Sequence, residues 1–591
     1  MTTYKNKKQN AMLYRMFTRL LPVQVAVIAM ASVNSIIDGV IAARFIDAAT
    51  VGVIGLYFIM LRILEASGSV ILGGVSVLSG RYLGSGRIDK TRGITSLGLA
   101  LALIVGVFLS AASLIVPGPI ADLFGSGAQL RDALCTYIRG YAIGIIPQLM
   151  GQQFASMLQL EQKEKFGHIA VAVMVALNLI LDLLFVLVFP MGVLGLALSS
   201  SVANWAYFLV VASCYFTKKA QLLPSIKLIA WNKTLQVIRI GFPGALLVIC
   251  LAVRSLILNR MLLAYSGSDG LSALSAFYMV SGLILALCIG TGAMVRMLAS
   301  VFLGEDNRES LRALMIYCLT RVMLLMCGLA VGVVVFSSAL AGIFFPDTAS
   351  QVFSLAKQLF IIYGCGLPAA LACVLFSSYY QAAGHLLFVN FISVMDALLS
   401  SVLPALILAP VMGAVGVWLA LLIGLFLTLI CSMLYPVLRL RRVPRSLDEW
   451  MLLPEDFGCA EHLVLNLHNA QDVVQTAQLV QSFCSEHNLP EKTGFYAGLC
   501  LEEMADNIVR YGFRKDRRHH DIEVRVILKE KTVILRIKDD CIPFNPQQWY
   551  EITSPSGDPA KNIGIRLVFG IAGHIEYQNM LGLNVLTIVL T

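Results

Sequence analysis

Two pairs of side chains set a carboxylate beside an amide inside apolar runs: Asn34 with Asp38, and Asn178 with Asp182. The members of each pair are four residues apart, so in a helix both project from one face. An ionisable group in such surroundings is costly unless it faces a cavity or a partner, and desolvation favours its neutral form. Loading and releasing a proton, or binding a cation, is the chemistry that suits it. The plainer reading is a structural Asp that caps or packs locally. Brought together, the two carboxylates would be coupled and one proton could be shared between them. A third acid–amide spacing, Glu503 with Asn507, lies in a far more polar stretch, followed by Asp539 at the end of an alternating run and by Gly564.

The first two pairs need helices that cross a bilayer, and about 20 apolar residues suffice for its ~30 Å core. The sequence has them in abundance: 58% of its 591 residues are hydrophobic and only 13% charged, against about a quarter charged in an average soluble chain. Twelve spans are expected, at roughly 18–45, 52–79, 94–117, 133–158, 168–189, 192–215, 237–264, 270–300, 312–342, 352–379, 386–409 and 412–437. Lys and Arg concentrate in alternate loops: Arg81 to Arg92, Lys163 and Lys165, Lys218 to Lys233, and Arg439 to Arg445. By the positive-inside rule both termini are cytoplasmic in a cell membrane. The net charge of +9 is then explained by orientation, and no nucleic-acid partner is expected. Most of the 13 cysteines lie in apolar segments and read as reduced packing residues. Cys459 with His462 and Cys484 with His487 have the spacing of zinc ligands, but pairs of this kind arise more often by chance.

The chain also repeats itself. Pro22 and Pro243, Gly84 and Gly304, Gly167 and Gly384, and Met191 and Met412 recur at offsets of 221, 220, 217 and 221 residues. Two six-span halves with the same membrane entry are related by an axis along the membrane normal, with substrate between them near mid-membrane. The offset places Asn259 where the first half has Asp38, so the coupling site belongs to the first half. Asn204 could line the same cleft or bond a neighbouring helix. The second half has its own charges in Arg254, Arg260, Arg296 and Asp396, expected to form a buried ion pair that stabilises that lobe or, as the alternative, contacts an anionic substrate. Arg62 and Glu65 should pair on one helix face.

The first 440 residues or so resemble the multidrug and toxic compound extrusion (MATE) family of cation-coupled exporters. Three stretches carry the resemblance: Ile36-Ile-Asp38-Gly-Val-Ile-Ala-Ala, Gly80-Arg-Tyr-Leu-Gly84-Ser-Gly86, and above all Asn178-Leu-Ile-Leu-Asp182 running on through Pro190-Met-Gly192-Val-Leu-Gly195. The resemblance implies two lobes that rock between outward and inward openings, drug leaving as H+ or Na+ enters.

From about Cys459 the pattern changes. Glu461–His468 alternates as a strand, Asp472–His487 is an amphipathic helix, a second helix covers Thr493–Tyr511, and strands Ile522–Leu528 and Thr532–Lys538 follow. This α+β sandwich resembles the GHKL ATP-binding fold, closest to the serine kinases that act as anti-sigma factors. The resemblance rests on Leu501-Glu-Glu503-Met-Ala-Asp-Asn507, on Asp539, and on Asn562-Ile-Gly564. It implies that Asn507 holds Mg2+ against ATP, that Glu503 is the catalytic base, that Asp539 reads the adenine amino group, and that Gly564 lets the backbone approach phosphate. Cys541 and Asn562 stand where that family has glycines.

The expected architecture is thus a polytopic α-helical membrane protein, twelve helices in lobes 17–215 and 237–440, a linker over 441–456, and a cytoplasmic ATP-binding domain over 457–591. The expected function is export of drugs or other xenobiotic small molecules through the lipid bilayer, coupled to H+ or Na+. The tail would be regulatory and would meet a cytoplasmic regulatory protein. A membrane signalling protein with a protein serine/threonine kinase tail, and a flippase for lipid-linked sugars, are the alternatives. An enzyme driving transport by hydrolysis would be expected to carry a P-loop, and the tail has none.

Overall fold

Apolar periodicity dominates the first three-quarters of the chain, and the fold there is a bundle of long helices. The computed structural model describes residues 14–590 except 23, 27, 30–31, 33–47, 124–129, 162, 217–220, 459–461, 468–469, 513–519, 521, 530–531, 554–562 and 581. Among the described residues ten helices are long and apolar enough to cross a membrane. Four lie in the first half: Ile59–Gly84, Ile88–Ile115, Phe166–Val188 and Gly192–Ser213. Six lie in the second: Trp231–Gly267, Ala286–Gly304, Arg308–Val335, Gln351–Ala383, Leu386–Met412 and Ala414–Leu440. Two of the twelve expected spans are absent from this set. The first, 18–45, falls largely outside the described residues. The fourth is the 30-residue helix Arg131–Leu160, packed between Ile88–Ile115 and Gly192–Ser213, whose Gln148, Gln152 and Gln153 make it less apolar than its neighbours. The eighth is covered by Ala286–Gly304 and the helical residues before it, since the chain breaks from helix at Gly267 and stays helical through Leu285.

The sequence repeat has a structural counterpart. Gly84 lies against the carbonyl of Val301, and Gly304 against the carbonyl of Arg81, so close that no side chain fits at either glycine. Arg81 and Val301 are themselves 220 residues apart, so the two contacts are one contact seen from both sides of a pseudo-two-fold axis. Gly192 and Gly413, also matched by the repeat, share a left-handed φ of 57° and 58°, which side chains disfavour. In each half the helix before that turn contains one wide π-helical segment, Leu184–Val188 and Met395–Leu399.

The tail alternates between strand and helix periods and forms a five-stranded antiparallel sheet in the order β1-β2-β3-β5-β4, with β1 His462–Leu467, β2 Ile522–Lys529, β3 Thr532–Asp539, β4 His574–Met580 and β5 Leu583–Leu590. One face carries Val524, Val526, Val533, Leu535, Ile537, Leu586 and Ile588 and packs on helices Ala470–Glu486, Glu491–Asn507 and Ile563–Ile571. The opposite face presents Glu523, Arg525, Arg536 and Lys538, each less than a tenth exposed. What buries them is the helical bundle, whose apolar core also takes in Leu583 and Val585 of β5. The stretch 441–456, expected as a linker, is docked as well. Tyr379 Oη donates to the Met451 carbonyl at 2.9 Å, Tyr380 Oη to that of Trp450 at 2.7 Å, and Arg308 Nε to Asp448 Oδ2 at 3.1 Å.

Candidate functional site

The carboxylate expected on the fifth span is where its spacing placed it. Asn178 and Asp182 are 2% and 1% exposed, and Asn178 Nδ2 donates to Asp182 Oδ2 at 2.6 Å along the helix face. The other carboxylate oxygen accepts a short hydrogen bond from Ser199 Oγ, on Gly192–Ser213. Ser199 Oγ also lies 2.8 Å from the Leu196 carbonyl, and a hydroxyl has one proton to give. With Asp182 ionised, Ser199 donates to it. With Asp182 protonated, the acid can donate to Ser199, whose hydrogen turns to Leu196. Either charge state is therefore satisfied without leaving a buried polar group unpaired, the condition a reversible proton site must meet.

The other intramembrane candidates fare differently. Asn34 and Asp38 lie outside the described residues. Asn204 is half-buried on the same helix as Ser199. Among the described residues Asp396 makes no ion pair with Arg254, Arg260 or Arg296, contrary to the expected pairing; Arg296 Nη1 donates instead to Gln381 Oε1 at 3.4 Å. Arg62 and Glu65 do pair, at 2.6 Å and exposed.

In the tail, three elements converge where the acid, amide and glycine were expected. Helix Glu491–Asn507 carries Glu503 and Asn507, and Asn507 Nδ2 donates to the Glu503 carbonyl at 2.8 Å. Gly564, at the start of Ile563–Ile571, sits directly against the Glu503 carboxylate. Gly512, closing the π-helical segment after Asn507, abuts Cys541 just past β3. Asp539 ends β3, 4% exposed. Its Oδ1 accepts from the Cys541 backbone N–H at 2.9 Å and from Asn584 Nδ2 at 2.6 Å. Burial pushes this carboxylate up to about 6, against the pull of those bonds. A carboxylate ringed by donors is an acceptor, as recognition of an exocyclic amino group requires. Glu503 meets the first turn of Ile563–Ile571, a helix N-terminus where phosphate is favoured, and Asn507 follows one turn later on the same helix face as Glu503. The residues fit Mg-ATP.

Cys484 is buried in the tail core, and His487 Nδ1 lies 2.7 Å from the Phe483 carbonyl; Cys459 is outside the described residues. Sequence reasoning missed Ser199 and Asn584. Neither has a local signal, since their partners are 17 and 45 residues away and meet them only through helix packing and the β3–β5 pairing.

Comparison with known proteins agrees with both halves of this description. The MatE family profile matches residues 22–184 and 243–406, together more than half of the chain. The profile described as a histidine kinase-like ATPase domain matches residues 468–590. The chain is similar to the multidrug export protein MepA of Staphylococcus aureus, 24% identical over 422 residues, covering 68% of this chain and 89% of the relative. MepA of Staphylococcus saprophyticus is 26% identical over 295 residues, 47% of this chain and 63% of the relative. Among solved structures, an outward-facing multidrug resistance MATE transporter of the MOP superfamily superposes with a TM-score of 0.67 at 17% identity, covering 72% of this chain and 95% of that one. A MOP superfamily transporter from Pyrococcus furiosus superposes at 0.66 and 18% identity, covering 73% and 96%. The chain belongs to the MatE family of multi-pass membrane transporters and carries a histidine kinase-like ATPase domain at its C-terminal end.

Proposed function

We propose that the protein exports drugs or other xenobiotic small molecules from the cytoplasm in exchange for H+ or Na+, with both termini and the tail on the cytoplasmic side. The observation that carries this reading is the Asn178–Asp182–Ser199 cluster, a buried carboxylate whose neighbours accommodate both its charged and neutral forms. Asp38 with Asn34, the same spacing on the first span, is the second half of the coupling site. Ion entry at these carboxylates would alter the packing of the first lobe and so bias the rocking that exposes the drug site.

The tail acts as a nucleotide-binding regulator. Asn507 would hold the Mg2+ of ATP, Asp539 the adenine, and the backbone at Gly564 the phosphates, with Glu503 placed as base if a partner's hydroxyl is phosphorylated. Bound ATP supplies charge and, in that case, a transferable phosphoryl group. The energy for transport comes from the ion gradient. The test is dye efflux from proteoliposomes with an imposed proton or sodium gradient. Efflux that follows one gradient and stops when it is collapsed supports the proposal; efflux indifferent to both gradients, or driven by ATP alone, refutes it.

A further inference from the structure

The buried polar face of the tail sheet marks a contact that isolated domains of this kind do not need. An outer sheet face carrying Glu523, Arg525, Arg536 and Lys538 would ordinarily be solvated, yet here all four are buried against the bundle. The partners come from both lobes. On the second lobe, Lys538 Nζ donates to Glu305 Oε2 at 2.6 Å, the two side chains 5% and 9% exposed, and the Gly458 N–H donates to Asp306 Oδ1 at 3.0 Å. On the first lobe, the Ile88 N–H donates to Glu576 Oε1 at 3.3 Å. Between the lobes, the Asn579 N–H donates to Gln221 Oε1 at 3.1 Å.

These are not arbitrary points. Ile88, the first residue of its helix, and Glu305 lie four and one residues after Gly84 and Gly304, the two positions equated by the internal repeat. One asymmetric domain therefore grips a symmetric pair of loops, β3 under one lobe and β4 under the other, two strands or about 10 Å apart. On the same side of the molecule the lobes touch. Gly84 meets Val301, Gly304 meets Arg81, and Arg81 Nε donates to the Ala382 carbonyl at 3.1 Å. Opening that side requires the two loops to separate, and a rigid sheet bonded to both resists it.

We propose that the tail is a clamp across the lobes that holds this side of the transporter shut, and that the site around Asp539 sets its grip. The wiring is short in both directions. Lys538, which holds Glu305, is the residue before Asp539 on β3. Asn584, which donates to Asp539, accepts from Asn579 Nδ2 at 2.5 Å, and the Asn579 backbone holds Gln221. A nucleotide that takes Asp539 as its acceptor competes with Asn584 and disturbs the strand ends that carry both grips. The gating part rests on the two-lobed transport reading and the control part on nucleotide binding, so the test separates them.

Nitroxides are placed at Ser85→Cys and Arg312→Cys, exposed positions on the two loops' flanks, in the full chain with reactive native cysteines replaced. Electron–electron distance measurement in nanodiscs is expected to give one short distance. Lys538→Glu and, independently, Glu576→Arg should each raise the ratio of long to short distances about tenfold, since the first sets a carboxylate against the buried Glu305 and the second replaces the acceptor of the Ile88 N–H with a cation at a helix N-terminus. Size-exclusion and thermal unfolding of the same samples identify any variant that has merely misfolded. A distribution unchanged in both folded variants overturns the clamp, whether or not the protein exports a drug. Mg-ATP added to the unmutated, labelled chain should shift the distribution the same way. Calorimetric binding without that shift overturns the control by nucleotide; absence of binding heat counts against the nucleotide reading itself, and the two variants alone then decide the clamp.

Discussion

Asp182 illustrates how far a local pattern reaches. The four-residue spacing to Asn178 correctly placed an amide on its carboxylate, because helix geometry alone decides which neighbours share a face. Ser199 was invisible by the same logic, since it arrives from the next helix. Its role makes a prediction: Ser199→Ala should lower gradient-driven efflux about tenfold, the equivalent of one lost hydrogen bond to a charged group, while membrane insertion is unchanged. Efflux kinetics on matched amounts of protein check this. Asp539 makes a second. Its carboxyl sits at about 6 because it is buried, and only the ionised form accepts from adenine at both oxygens. Nucleotide affinity should therefore fall as pH drops through about 6, and Asp539→Asn should abolish both that dependence and the preference for adenine, as read by calorimetry across pH. The folding contribution has the opposite sign. A raised carboxyl favours the fold below its unfolded value near 4, and that contribution is lost as pH rises through 6.

Among the elements, long apolar runs declared themselves as helices because a continuous run of about 20 apolar residues crosses a bilayer with its backbone satisfied only as a helix. What escaped sequence reasoning was set by packing. Residues 447–453, within the stretch expected as a linker, dock on the second lobe. Three of the five tail strands, β1, β2 and β3, were legible within a residue or two from their alternation, whereas β4 and β5 were not read from the sequence, and neither was the burial of Arg525, Arg536 and Lys538 against the bundle. The crossing of Ile59–Gly84 with Ala286–Gly304 depends on two glycines that meet opposing carbonyls. Gly84→Val and Gly304→Val should each destabilise the protein by about 1–3 kcal/mol through overpacking, and by similar amounts because the contacts are equivalent. Thermal unfolding of the purified protein measures this; a large effect at one glycine and none at the other would deny the equivalence.

For the whole molecule, the repeat offsets near 220 residues were enough to predict two lobes related by an axis, and the reciprocal Gly84–Val301 and Gly304–Arg81 contacts realise it. Orientation rests on the basic loops, and it predicts that Ser446→Cys is shielded from impermeant thiol reagents added outside intact cells and reactive once they are permeabilised. If an intramembrane carboxylate couples export to an ion gradient, removing its charge should separate transport from that gradient. The most direct measurement compares wild type and Asp182→Asn in proteoliposomes under an imposed gradient, with downhill drug exchange followed in the same vesicles. Asp182→Asn should keep downhill exchange but lose gradient-driven accumulation. Gradient-driven accumulation at wild-type rate in the variant would contradict it.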